Sequence, residues 1–132
     1  MPTGVIKTDA KTGMVYGWAS VSAKADGSPL VDRDGDTIPT PVLESAMHDF
    51  MASYRSGGVM HEGDDEGIVV ESLLVTAEKL EAMGIPAEVA QSIPEGAFIG
   101  LKLDPTSATF QRVQSGELGM FSIFGKAVIE AA

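Results

Sequence analysis

Residues Met14–Ala23 read MVYGWASVSA. Val15, Gly17, Ala19 and Val21 alternate with Tyr16, Trp18, Ser20 and Ser22, and β-forming side chains fill the segment, so the stretch predicts a strand. Working outward, residues 4–7 supply a short partner strand on the N-terminal side. Asp26-Gly27-Ser28-Pro29 is a turn, and residues 31–37 (VDRDGDT) form an acidic, turn-rich connection. A helix follows. Thr40 is placed to cap it and Pro41 suits the first helical position. Leu43, Met47, Phe50 and Tyr54 then recur at spacings of four, three and four, which makes one apolar face, and Gly57-Gly58 closes it.

Beyond that helix, residues 59–61 form a short strand and residues 62–67 (EGDDEG) an exposed acidic loop. Ile68–Val75 (IVVESLLV) is a strong strand. Thr76 caps a short helix that Gly84 and Pro86 stop, and residues 87–92 add a further helical turn. Residues 97–103 are a strand, residues 107–114 a short helix closed by Gly116, and residues 120–129 a final strand bent or bulged at Gly125. Helices interrupt the strands irregularly, so the βαβα rhythm of a doubly wound sheet is missing. The expected fold is α+β, with a mostly antiparallel sheet or small β-barrel and surrounding short helices, in one domain over residues 1–132.

Composition narrows the function. The chain has 132 residues, 44% of them hydrophobic, enough for a core that buries roughly two thirds of the unfolded surface. Nine basic and 19 acidic residues leave a net charge of −10, which argues against nucleic acid or an anionic membrane as partner. Cysteine is absent, so disulfides, thiolate catalysis and Cys-ligated zinc are excluded. No apolar run reaches the roughly 18 residues of a membrane span, and the N-terminus lacks the layout of a signal peptide. The default compartment is the cytoplasm.

Three residues could carry chemistry. His61 ends a short apolar stretch and precedes Glu62, Asp64, Asp65 and Glu66. A histidine there suits a general base, or is an ordinary surface histidine. Ser122 sits among large apolar groups between Gly119 and Gly125, as a nucleophile or as a buried serine bonded to a neighbouring carbonyl. Glu71 interrupts the apolar strand Ile68–Val75. Facing inward it needs a cation or donor, which a histidine ring could supply; facing outward it is a solvated strand residue. Asp32, Asp34 and Asp36 suggest calcium, but the sixth loop position is Thr37 instead of glycine and the twelfth is Leu43 instead of Glu. His61-Glu62 does not extend to a zinc-peptidase motif, because the fifth position is Asp65. Neither cofactor nor metal is expected.

At these residues the sequence resembles a known family. Residues 15–21 (VYGWASV), Gly35-Asp36 before a helix, Gly57-Gly58-Val59-Met60-His61, Val70-Glu71-Ser72, Pro94-Glu95-Gly96, and Ser115-Gly116-Glu117-Leu118 leading into Phe121-Ser122-Ile123 resemble the XkdF-type prohead serine proteases of tailed phages, from about residue 14 to about residue 128. The resemblance implies a fold similar to the herpesvirus maturation protease, a small β-barrel with helices around it. It implies a serine endopeptidase that digests scaffold and capsid proteins inside the phage prohead, assembled in the bacterial host cytoplasm. It makes Ser122 the nucleophile and His61 the general base, with Glu71 as the third member and Asp65 as second choice. Backbone amides at Gly125-Lys126 would serve the oxyanion, and a homodimer is plausible. Residues 128–132 (VIEAA) read either as a self-processing site after Glu130 or as the natural stop. Two other readings compete. One is a non-catalytic module that binds scaffold or capsid with the same fold. The other is a metal-dependent hydrolase using Asp32, Asp34, Asp36 and His61.

Overall fold

The computed structural model describes residues 4–23, 38–53, 67–123 and 127–130, with the backbone alone for 20–23, 120–123 and 127–130. In chain order the elements are β1 (Gly4–Asp9), β2 (Met14–Ala23), α1 (Thr40–Ser53), β3 (Ile68–Val75), α2 (Ala77–Ala82), α3 (Ala87–Ala90), β4 (Glu95–Lys102), α4 (Ala108–Gln114), β5 (Met120–Ile123) and β6 (Ala127–Glu130). Four strands form one antiparallel sheet in the order β1-β2-β4-β3, and β5 pairs with β6 as a separate two-stranded ribbon.

Period two sorts the strand residues between two faces. On the inner face Val15, Val69, Leu74, Ala97, Ile99 and Leu101 are buried. Leu43, Met47 and Phe50 of α1 and Phe110 and Val113 of α4 join them in one cluster. Leu43, Met47 and Phe50 are positions that the apolar spacing of α1 selects, so amphipathic helix meets half-apolar sheet. On the outer face Trp18 and Phe98 stand edge to face with ring centroids 5.2 Å apart. Val75, Leu80 of α2 and Ala90 of α3 complete that second cluster. Each aromatic pair of this kind adds about 0.5–1.5 kcal/mol beyond its burial.

Local chemistry sets the turns. The Asp9 carboxylate accepts from the Lys11 amide at 2.9 Å, which opens the β1–β2 turn. Gly13 closes it with φ +81, and a Cβ there would lie 1.9 Å from the Leu103 carbonyl oxygen. Thr76 caps α2 by accepting from the Lys79 amide, and Ser107 caps α4 by accepting from the Phe110 amide at 3.0 Å.

Three expectations are corrected. The sheet is not closed into a barrel of the herpesvirus-protease kind. Closure needs the edge strands to be joined, and among the described residues β1 and β3 remain the two edges while β5 and β6 pair with each other. The inner face is covered instead by α1 and α4, so the core is a helix-on-sheet layer. The strand expected over residues 120–129 is two strands, with Ile123 opposite Ala127. Apolar residues run through both arms, which hides the chain reversal. Thr40 lies within the first turn of α1, and its hydroxyl donates to Glu95 Oε1 at 3.0 Å. The Pro39 carbonyl accepts the first helical amides, those of Val42 and Leu43.

Candidate active site

Two of the four candidate residues lie on described elements. Glu71 is on β3, opposite Gly100 of β4. Val69 faces Leu101 in the core, so strict alternation would send Glu71 inward as well. A register shift between Val69 and Glu71 inserts one residue, Val70, and turns Glu71 outward. Glu71 is exposed on that outer face. Of the two sequence readings of this carboxylate, the structure has the solvated one.

The surroundings of Glu71 were not legible from the sequence. The Tyr16 hydroxyl donates to Glu71 Oε2 across 3.4 Å. Gly100 sits between them. A Cβ on Gly100 would meet Met14 Cε at 2.9 Å, Tyr16 Cε1 at 3.1 Å and Glu71 Cβ at 3.2 Å, so its missing side chain lets the three lie side by side. Lys7 of β1 places its ammonium 5.8 Å from the centre of the Tyr16 ring. Partial burial, and then the negative charge of Glu71, hold the Tyr16 phenol above its ordinary range. The signal for this cluster is cross-strand register, which no single segment carries.

Ser122 is on β5, opposite Val128 of β6. The approach to it is well defined. Leu118 is buried in the main core and its amide donates to the Arg112 carbonyl at 3.1 Å. Arg112 and Glu117 form an ion pair across the same turn. The Gly119 carbonyl then accepts from the Val5 amide of β1 at 2.8 Å. From there β5 lies against β2 and β1. Glu71 is on β3, the opposite edge of the sheet, with β4 between β3 and β2.

His61 and Asp65 lie outside the described residues, as do Asp32, Asp34 and Asp36. The described residues therefore do not contain the whole Ser122–His61–carboxylate constellation. Among them, no group of three or more histidine, aspartate or glutamate side chains could hold a metal ion. No helix among them is long and apolar enough to cross a membrane.

Among protein families, the match is to a class of phage-encoded serine peptidases. The family model described as "Putative phage serine protease XkdF" matches residues 3–130, and the chain belongs to that family. The resemblance carried by the short motifs is borne out over nearly the whole chain. A proteolytic role and a phage context follow at the level of the family. No curated protein and no solved structure matches the chain.

Proposed function

We propose that the protein is a serine endopeptidase that cleaves scaffold and capsid proteins during maturation of a phage prohead. The observation that carries this reading is the family match over residues 3–130. The Phe121-Ser122-Ile123 and Gly58-Val59-Met60-His61 motifs stand within it. Its place of action would be the prohead interior, assembled in the bacterial host.

In the proposed mechanism neutral His61 takes the proton of Ser122 as the hydroxyl attacks the scissile carbonyl. The protonated imidazole then delivers that proton to the leaving amine. Water attacks the acyl carbonyl and gives a proton to His61, which passes it to the Ser122 oxygen as the acyl group leaves as the acid. Backbone amides stabilise the oxyanion in both halves. The carboxylate that orients His61 is assigned to Glu71, with Asp65 as the second candidate. Glu71 is exposed and engaged by Tyr16, so the assignment rests on the resemblance and needs its own variant.

The test is intact-mass analysis after incubation with a fluorophosphonate. One adduct on the wild type, and none on Ser122→Ala or His61→Ala, supports the activated serine and its base. Labelling that declines as the pH falls through the ordinary histidine range supports the base further. Glu71→Gln and Asp65→Asn in the same assay decide the third member. Labelling of Ser122→Ala at the wild-type rate would overturn the assignment.

A further inference from the structure

We infer that strand β1 is a positioning element for the β5–β6 ribbon, acting through the hydrogen bond from the Val5 amide to the Gly119 carbonyl. Resting on the reading of Ser122 as nucleophile, the same bond sets where the nucleophile strand lies.

The argument starts from the edge of the sheet. Among the described residues β1 pairs with β2 on one side only, so its other side offers amides that need acceptors. A register shift between Val5 and Lys7 leaves Ile6 as an extra residue, 58% exposed. Val5 itself packs against the main core. The bulge thus keeps the Val5 side chain against the core while its amide reaches the Gly119 carbonyl at 2.8 Å.

Gly119 is one residue before β5 and three before Ser122. Among the described residues, β5 has no strand partner except β6. A two-stranded ribbon is marginal unless something fixes it. Two anchors stand immediately before this one. Leu118 is in the core, and Gly119 is bonded to β1. Among the described residues, the Val5–Gly119 backbone hydrogen bond ties this entry into the ribbon to the four-stranded sheet. Removing it leaves Leu118 as a pivot and lets the ribbon shift relative to β1 and β2. A displacement of about 1 Å costs a catalytic group on the order of 100-fold in rate.

The experiment compares Val5→Pro, which replaces the amide donor with a ring methylene, with Val5→Ala, which keeps the donor and trims the side chain. Two readouts are taken on the full chain. Hydrogen exchange is followed at residues 120–123 and 127–130 and at β2 and β4. The rate of fluorophosphonate labelling is split into its saturation constant and its maximal rate. Expected for Val5→Pro are faster exchange in the ribbon, retained protection in β2 and β4, and a maximal labelling rate about 10- to 100-fold lower with the saturation constant little changed. Val5→Ala should label within about twofold of wild type.

Ribbon exchange in a folded Val5→Pro equal to wild type would overturn the inference. If Val5→Pro does not fold, wild-type exchange decides. Under rising denaturant the Val5 amide should lose protection together with the ribbon; loss at the pace of an unprotected amide would also overturn it. A ribbon that loosens in Val5→Pro while wild-type Ser122 takes no label would uphold the tether and overturn the nucleophile assignment instead.

Discussion

Tyr16 and Glu71 stand 55 residues apart in the chain and meet above Gly100, the phenol donating to the carboxylate across 3.4 Å. The contact exists because β4 separates β2 and β3, and because its residue at this register position is a glycine. A cross-strand neighbour with a Cβ would push at least one of the two aside.

The first prediction concerns that pair. Partial burial and then the Glu71 charge raise the Tyr16 phenol. Glu71→Gln should bring it part of the way down, since burial persists. Absorbance titration in a Tyr54→Phe background, where Tyr16 is the remaining tyrosine, checks this. The stability consequence has a definite sign. A folded pKa above the unfolded one stabilises fully below the unfolded value and is lost as the pH rises through the folded value. Stability at strongly alkaline pH should therefore decline, and less so in Glu71→Gln. An unchanged titration midpoint would show that the charge does not act on the phenol.

A second prediction separates backbone strain from space. Gly13 and Gly84 both have positive φ, +81 and +97. Nothing lies within 4 Å of a Cβ on Gly84, whereas one on Gly13 would overlap the Leu103 carbonyl. Gly84→Ala should cost about 1–2 kcal/mol from strain alone. Gly13→Ala should cost on the order of 4 kcal/mol or prevent folding, because the Leu103 strand end must move as well. Urea denaturation midpoints give both values, and equal losses would refute the spatial argument.

The α1–α2 clasp gives a third. Lys79 Nζ lies 2.7 Å from Glu44 Oε2 and donates to the Leu74 carbonyl at 2.9 Å. Hydrogen bonding and charge from Lys79 hold the Glu44 carboxyl below its ordinary range. A lowered folded pKa means the contribution is present above the unfolded pKa and disappears as the pH falls through the folded one. Glu44→Gln should thus lower Tm modestly at neutral pH and have little effect in strong acid. Both side chains are more than a third exposed, so solvent screening keeps the effect small. Thermal melts across the acid range test it; a Tm difference independent of pH would exclude the ion pair as cause.

The fourth prediction compares two residues of α4. Phe110 is 1% exposed in the main core, and Phe110→Ala should cost about 3–5 kcal/mol. Ser107 accepts from the Phe110 amide as the helix cap, and Ser107→Ala should cost about 1 kcal/mol while Ser107→Gly costs a few tenths. Chemical denaturation ranks the three. A loss in Ser107→Gly as large as in Ser107→Ala would mean the capping argument is wrong.

Much of the chain was legible in one dimension. Alternation marks β2, the spacing of Leu43, Met47 and Phe50 marks α1, and Ser107 with Gly116 brackets α4, because each signal lies within one segment and depends only on the local repeat. The family was legible for a related reason: short motifs around Ser122 and His61 carry it in order along the chain. The face of Glu71 was not. Its strand alternates in phase with the core up to Val69, and the inserted Val70 reverses the phase. A bulge is an extra residue counted against a partner strand, so one strand's sequence does not contain it.

Composition, periodicity and end signals settle most of the described helices and strands, though not the break between β5 and β6, and they settle that the class is α+β, since these are properties of a residue and its near neighbours. The tertiary structure alone decides the rest: an open sheet in the order β1-β2-β4-β3, a separate β5–β6 ribbon, an outward Glu71 under Tyr16, and the bond from Val5 to Gly119. Strand order and register are pairwise quantities between segments far apart in the chain. They are chosen by which faces can be buried together, and local sequence enters that choice only through the faces it offers.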